Sequence, residues 1–351
     1  MSWITQLARP DIVALKAYEH AAWEPGLTRL HANELPWRAS EDASAAGLNR
    51  YPEPQARALI GRLAEIYHVA PHALLICRGS DEAIDLLVRG FCRADLDAVL
   101  VCPPTFGMYA VAARIQGAKV VSVPLKAEAG FALDPRAVLE RCTREVKLVF
   151  LCSPNNPTGN LLSESAILEI ADAVAGCAIV IVDEAYIEFS QRESLAAQVR
   201  SRPQLAVLRT LSKAHGLAGA RLGALIADPE VIALLRKLIA PYAVPQLILE
   251  AVTTLLSPLH LRTLHRRVAQ IRTERMRVHQ GLSELPGVTA VLPSAANFIL
   301  ARLKYPAEAL ARAVAARLLV RDARGYLGLS DALRISIGTP EQNDRLLEAW
   351  A

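Results

Sequence analysis

Apolar positions along the chain fall into two alternating patterns. Short, nearly continuous apolar runs near Leu74, Val99, Val120, Leu148, Ile179, Ala206 and Gly223 read as strands buried on both faces. Between them the apolar residues recur at helical spacing, so the alternation predicts an α/β fold with a mostly parallel seven-stranded sheet wrapped by helices. The pattern changes after Pro241 and Pro245, which follow a helical stretch over 231–238. Beyond them come an Arg-rich helical segment over 258–282, the breaker Pro286-Gly287, an alanine-rich helix over 307–316, an alternating stretch over 333–337, and a helix after Pro340. That mixture predicts a smaller α+β domain. The expected division is an N-terminal arm, 1–44, joining the small domain; a large domain, 45–245; and a small C-terminal domain, 246–351.

Composition changes this picture little. A chain of 351 residues exceeds the usual single core, in keeping with two domains. Its 39 basic and 35 acidic residues leave a net charge of only +4, which calls for neither a nucleic-acid nor a membrane partner. Arg266, Arg267, Arg272, Arg275 and Arg277 lack interleaved aromatics and read as a solvated helix face. No run approaches the ~18 uncharged apolar residues of a membrane span, and residues 1–10 lack the basic start and apolar core of a secretion signal, so a cytoplasmic location is expected. The six cysteines show no C-x-x-C spacing and sit mostly in apolar runs, so reduced core thiols are expected and no metal site.

The chemistry concentrates where strands end. Lys213 follows the short apolar strand near Ala206 and sits beside Ser212, which makes it a candidate Schiff-base nucleophile, although an isolated lysine is ordinarily a plain surface residue. The run 178–182 ends in Asp183-Glu184-Ala185-Tyr186, and the strand over 147–152 is followed by Ser153-Pro154-Asn155-Asn156-Pro157-Thr158-Gly159, a turn that presents Asn156. Open α/β sheets bind ligands at such carboxyl ends. Gly79, Ser80 and Asp81 open a helix directly after the strand 74–77, and free N–H groups at a helix start suit a phosphate; Arg221 is a second phosphate candidate. An amine, a carboxylate, an amide with a phenol, and a phosphate cradle are the groups that pyridoxal phosphate requires.

Taken in order, Gly79-Ser80-Asp81-Glu82, Asn155 to Gly159, Asp183 to Tyr186, Ser212-Lys213 and Ala220-Arg221-Leu222-Gly223 resemble the fold-type I, pyridoxal-phosphate-dependent aminotransferases. Further segments are similar to the histidinol-phosphate aminotransferase family: Asn49 to Gln55, Cys102 to Tyr109, Val182 to Phe189, Leu208 to Ala214 and Leu333 to Thr339. The resemblance implies pyridoxal 5'-phosphate bound in a large domain, with Lys213 joined to its aldehyde and moving the substrate proton. It further implies that Asp183 holds the ring nitrogen protonated, that Asn156 and Tyr186 bind the phenolic oxygen, and that Phe106 stacks on the ring. Gly79, Ser80, Asp81, Ser212 and Arg221 would hold the phosphate, joined by Tyr51 of a neighbouring subunit in a homodimer.

For substrate the resemblance implies Arg334 and Arg321 at the anionic end, with Tyr18 and Asn33 lining the pocket, since planar guanidinium groups match carboxylate and phosphate. The implied reaction is ping-pong transamination of L-histidinol phosphate with 2-oxoglutarate, giving imidazole-acetol phosphate and L-glutamate. Three alternatives stay open. An aromatic amino-acid aminotransferase would rely mainly on Arg334, a threonine-phosphate decarboxylase would release carbon dioxide, and an aminotransferase-like sensor domain of a transcription regulator would turn nothing over.

Overall fold

The computed structural model describes residues 2–24 and 26–351. Seven strands form the large sheet: β1 (Leu74–Cys77), β2 (Ala98–Val101), β3 (Lys119–Ser122), β4 (Val146–Cys152), β5 (Ile179–Asp183), β6 (Leu205–Thr210) and β7 (Gly223–Ile226). Their order is β1-β7-β6-β5-β4-β2-β3. Strands β3, β2, β4, β5 and β6 are successively parallel, and β7 alone runs antiparallel to both its neighbours, β6 and β1. Every predicted strand is present; six of the runs are buried from both sides, and the edge strand β3 is half-buried at Val120 and Val121. Ile76, Leu100, Val149, Val180 and Val207 face one core, while Leu75, Val99, Leu148, Ile181 and Leu208 face the other. Side chains of alternate residues point to opposite faces of a strand, so a run without polar residues needs helices on both. Helices Arg57–Tyr67 and Glu164–Ala173 cover the first face; Gly79–Phe91 and Pro229–Leu235 cover the second.

The second sheet is antiparallel, in the order β10-β11-β9-β8, from β8 (Val288–Val291), β9 (Phe298–Leu303), β10 (Arg321–Asp322) and β11 (Ala332–Ser336). Its own core joins Ile299 and Ala301 of β9 and Leu333 and Ile335 of β11 to Val278 and Leu282 of the 26-residue helix Pro258–Ser283 and to Leu346 and Trp350 of the last helix. Ser257 caps that long helix with Pro258 in its first turn, and Thr339 with Gln342 forms a capping box on Pro340–Trp350. Leu300 and Ala332, on the other face of the small sheet, pack into the large-sheet core. That shared packing docks one face of the small sheet on the large domain.

The N-terminal residues differ from expectation. Instead of joining the small domain, helices Trp3–Leu7 and Pro10–Ala14 bury Ile4, Leu7, Ala8 and Ile12 in the large-sheet core beside Pro229–Leu235. Arg9 N donates to Gly90 O at 3.0 Å, and Lys237 Nζ donates to Val13 O at 2.8 Å. Apolar residues spaced three and four apart make a sticky face, and the nearest uncovered apolar surface is on the large domain. Helix Gln246–Leu255 likewise places Leu249 and Val252 in the large core. Among the described residues no helix is long and apolar enough to cross a membrane.

Candidate active site

Register brings the site together. Cys152 pairs with Asp183, Asp183 with Leu208, Thr210 with Gly223, and Gly223 with Cys77. The carboxyl ends of β1, β4, β5 and β6 therefore lie side by side, and the residues that follow them converge on one cavity of about 320 Å³. Gly79, Ser80, Asp81, Phe106, Asn156, Asp183, Tyr186, Ser212, Lys213, Arg221, Arg321 and Arg334 all line it. The two last come from the small sheet, so the cavity lies between the domains.

The large-domain end is an anion cradle. Gly79 has φ +77°, and a Cβ there would sit 2.8 Å from Arg221 Nη2. A Cβ on Gly223 would lie 2.6 Å from Ser80 N, so β7 and the start of helix Gly79–Phe91 touch backbone to backbone. Arg221 leans across the gap, its Nη1 donating to Ser212 Oγ at 3.5 Å and its Nη2 to Asp81 Oδ2 at 3.2 Å. The Asp81 carboxylate accepts hydrogen bonds and repels anions, so its side chain orients Arg221, and only its backbone N–H suits a phosphate.

The turn after β4 divides labour between adjacent asparagines. Asn155 is buried and holds the turn, donating to Pro104 O and Thr158 Oγ1 and accepting from Thr105 Oγ1. Asn156 faces the cavity, where Arg334 Nη1 donates to its Oδ1. The Arg334 guanidinium stands 5.2 Å over the Phe298 ring, and its Nε is buried without a partner among the described residues.

Asp183 is 3% exposed. Burial pushes its carboxyl above the usual range, opposed by hydrogen bonds from Tyr109 Oη at 2.6 Å and Ala185 N at 3.0 Å. Lys213 reaches into the same cavity with Nζ 5.6 Å over the Tyr186 ring. Burial of its amine, reinforced by the Arg334 charge, lowers its proton affinity against the pull of Asp183 and Asp81. A lowered proton affinity favours the neutral, nucleophilic form of the amine, and a buried carboxyl lining the same cavity suits a cationic partner. Burial also raises the Tyr186 phenol, so it stays protonated and able to donate.

Two expected residues lie elsewhere: Tyr18 is 72% exposed and Asn33 holds a left-handed turn with φ 55°, and neither lines the cavity. Tyr51, expected to serve a neighbouring subunit, is half-exposed and stacked on Tyr242 at 4.5 Å. Among the described residues, 15–24 and 26–56 carry no helix or strand; Glu34 pairs with Arg29 and Arg50 within this stretch, and Glu250 of helix Gln246–Leu255 accepts from the backbone N–H groups of Ala45 and Ala46. Sequence reasoning missed Cys152, Thr210 and Tyr326 in the lining and Tyr109 behind Asp183. Tyr109 offered one signal, a phenol inside the apolar helix Met108–Ile115 and three residues after Phe106.

Residues 30–349 match the family model for aminotransferase class I and II. The chain is 49% identical over 350 residues to the histidinol-phosphate aminotransferase of Stenotrophomonas maltophilia, covering 99% of this chain and 96% of that one. Its fold resembles the crystal structure of histidinol-phosphate aminotransferase from Sinorhizobium meliloti in complex with pyridoxal-5'-phosphate, with TM-score 0.78 and 24% identity over 86% of this chain and 82% of that one. It also resembles L-threonine-O-3-phosphate decarboxylase from Porphyromonas gingivalis, with TM-score 0.74 and 27% identity over 86% and 90% of the two chains.

Proposed function

The chain belongs to the class I and II aminotransferases, and on that footing we propose that it transfers the amino group of L-histidinol phosphate to 2-oxoglutarate, using pyridoxal 5'-phosphate and yielding imidazole-acetol phosphate and L-glutamate. One observation carries the reading: the cavity has two separate cationic groups, Arg221 from the large domain and Arg321 with Arg334 from the small one, around a single amine. The first suits a cofactor phosphate and the second an anionic substrate end.

The donor set fits the cofactor. The Gly79-Ser80 helix start, Ser212 and Arg221 form a cradle that a Cβ on Gly79 or Gly223 would fill, and Asp183 supplies the buried anion a pyridinium needs. When bound, the cofactor's protonated ring supplies an electron sink for the carbon that loses its proton. Asp183 would keep the ring nitrogen's proton in place, Asn156 and Tyr186 would donate to the phenolic oxygen, and Phe106 would pack against the ring. Lys213 would hold the aldehyde until the substrate amine takes its place, which frees its Nζ to accept the substrate's α-proton and return it. Arg321 and Arg334 orient the phosphate, and Arg334, now bonded to Asn156, turns its free Nε toward it. Each half-reaction uses the same residues, which is the logic of a ping-pong cycle. Tyr51, exposed and outside its own chain's cavity, is suited to reach the cofactor phosphate of a second subunit in a homodimer. A biosynthetic role of this kind belongs in the cytoplasm.

An absorbance spectrum of the protein loaded with pyridoxal phosphate, before and after histidinol phosphate, tests the reading. Loss of the visible band, and glutamate formation once the cycle is completed with 2-oxoglutarate, are expected. Release of carbon dioxide from threonine phosphate would overturn it in favour of a decarboxylase, and faster bleaching by phenylalanine in favour of an aromatic aminotransferase.

A further inference from the structure

Asp183 is buried, and each of its carboxylate oxygens meets one donor: Oδ1 takes the N–H of Ala185 at 3.0 Å and Oδ2 the hydroxyl of Tyr109 at 2.6 Å. Tyr109 is fully buried on helix Met108–Ile115. Its ring is stacked on Phe150 at 4.8 Å with 6° between planes, and it meets Phe106 edge-on at 5.6 Å and 83°. Two aromatic contacts leave the phenol no freedom to swing away, and a 2.6 Å O–H···O⁻ contact has the length of a charge-assisted bond. One side chain thus touches both the carboxylate and the ring, Phe106, that line the cavity together.

We propose that Tyr109 is a positioning residue, fixing the orientation of the Asp183 carboxylate and the tilt of Phe106 so that both meet the cofactor ring. The inference rests on the reading that the cavity holds pyridoxal phosphate. A core tyrosine with no such role would fill space through its ring alone. Tyr109 instead aims its hydroxyl at a buried anion, where loss of the donor leaves an oxygen unpaired. Cys152 lies beside the same hydroxyl but does not replace it, since a thiol is a weak donor and its Sγ already donates to Pro154 O at 3.4 Å.

Tyr109→Phe removes the hydroxyl and keeps the ring. In the cofactor-free protein, carboxyl-carbon NMR of Asp183 should show its titration moved to higher pH, because the lost donor favoured the charged form. In the loaded protein, pyridoxal phosphate should bind roughly tenfold or more weakly, as expected for loss of a hydrogen bond to a charged group. In an Asp183→Ala background the same change should alter affinity less than about twofold, since coupled residues are not additive. If Tyr109→Phe folds poorly because Asp183 is stranded, the double variant with Asp183→Ala should melt higher than the single one. Unmoved titration, or equal losses of affinity in both backgrounds, would overturn Tyr109's role alone. A wild type that binds no pyridoxal phosphate would overturn the functional reading beneath it.

Discussion

Arg321 and Arg334 are cross-strand partners on the two-residue ladder of β10 and β11, and both line the cavity that holds Lys213. Two like charges side by side repel unless an anion lies between or beside them. Arg321→Ala should therefore raise KM for histidinol phosphate by about ten- to a hundredfold, the loss of one charged hydrogen bond, and change the slow rate with phenylalanine little. Arg334→Ala should impair both substrates. Steady-state kinetics on the two substrates read this directly, and an equal drop on both in Arg321→Ala would remove Arg321 from the phosphate.

Lys213 is the only amine lining the cavity among the described residues. Lys213→Ala should abolish turnover and the visible band of the cofactor joined to lysine, while circular dichroism stays native, because the side chain lines an open cavity. A variant that keeps both band and turnover would dismantle the assignment.

Gly223 has no room for a side chain: its Cβ would meet Gly79 C and Ser80 N at 2.6 Å and Arg209 O at 3.0 Å. These are backbone atoms and cannot step aside. Gly223→Ala should cost about 1–3 kcal/mol of stability, as overpacked cores do, and weaken pyridoxal phosphate binding by prising the helix start from β7. Thermal melting and cofactor titration of the variant test both halves; full affinity at reduced stability would separate β7 from the cradle.

His215, two residues after Lys213, is buried, and desolvation pulls its pKa from 6.5 down to about 4. Arg209, His260 and His265 add to the shift and Glu188 opposes it. The folded form stays neutral while the unfolded chain takes a proton below pH 6.5, so stability is whole above that pH and drains as pH falls toward 4. Between pH 7 and pH 5 the loss should be about 2 kcal/mol. His215→Phe should flatten that slope, since Nδ1 has no partner to lose. Urea unfolding at the two pH values is the check, and an undiminished slope in the variant would put the acid sensitivity elsewhere.

Much of the site was legible because its chemistry follows strand ends. An apolar run that stops at Asp183, a Gly-Ser helix start at Gly79 and Ser80, and a lysine after β6 are local features, each set by burial or by backbone geometry. Tyr109 escaped because a phenol in an apolar helix is ordinarily core, and only the neighbouring carboxylate gives it another use. The arm was misplaced for a related reason: Ile4, Leu7 and Ile12 announce a buried face without saying which surface will bury it.

Local periodicity by itself determined the strands, their mostly parallel pairing and the kit of reactive groups, because side-chain alternation and helix-start chemistry act over a few residues. Tertiary structure alone decided which groups meet. Tyr109 and Asp183 are 74 residues apart, and Asn156 and Arg334 are 178 apart. Their contact depends on the order β1-β7-β6-β5-β4-β2-β3 and on how the small sheet docks through Leu300 and Ala332. Sheet order and docking come from the sum of many weak apolar contacts across the whole chain, and no short stretch of it encodes that sum.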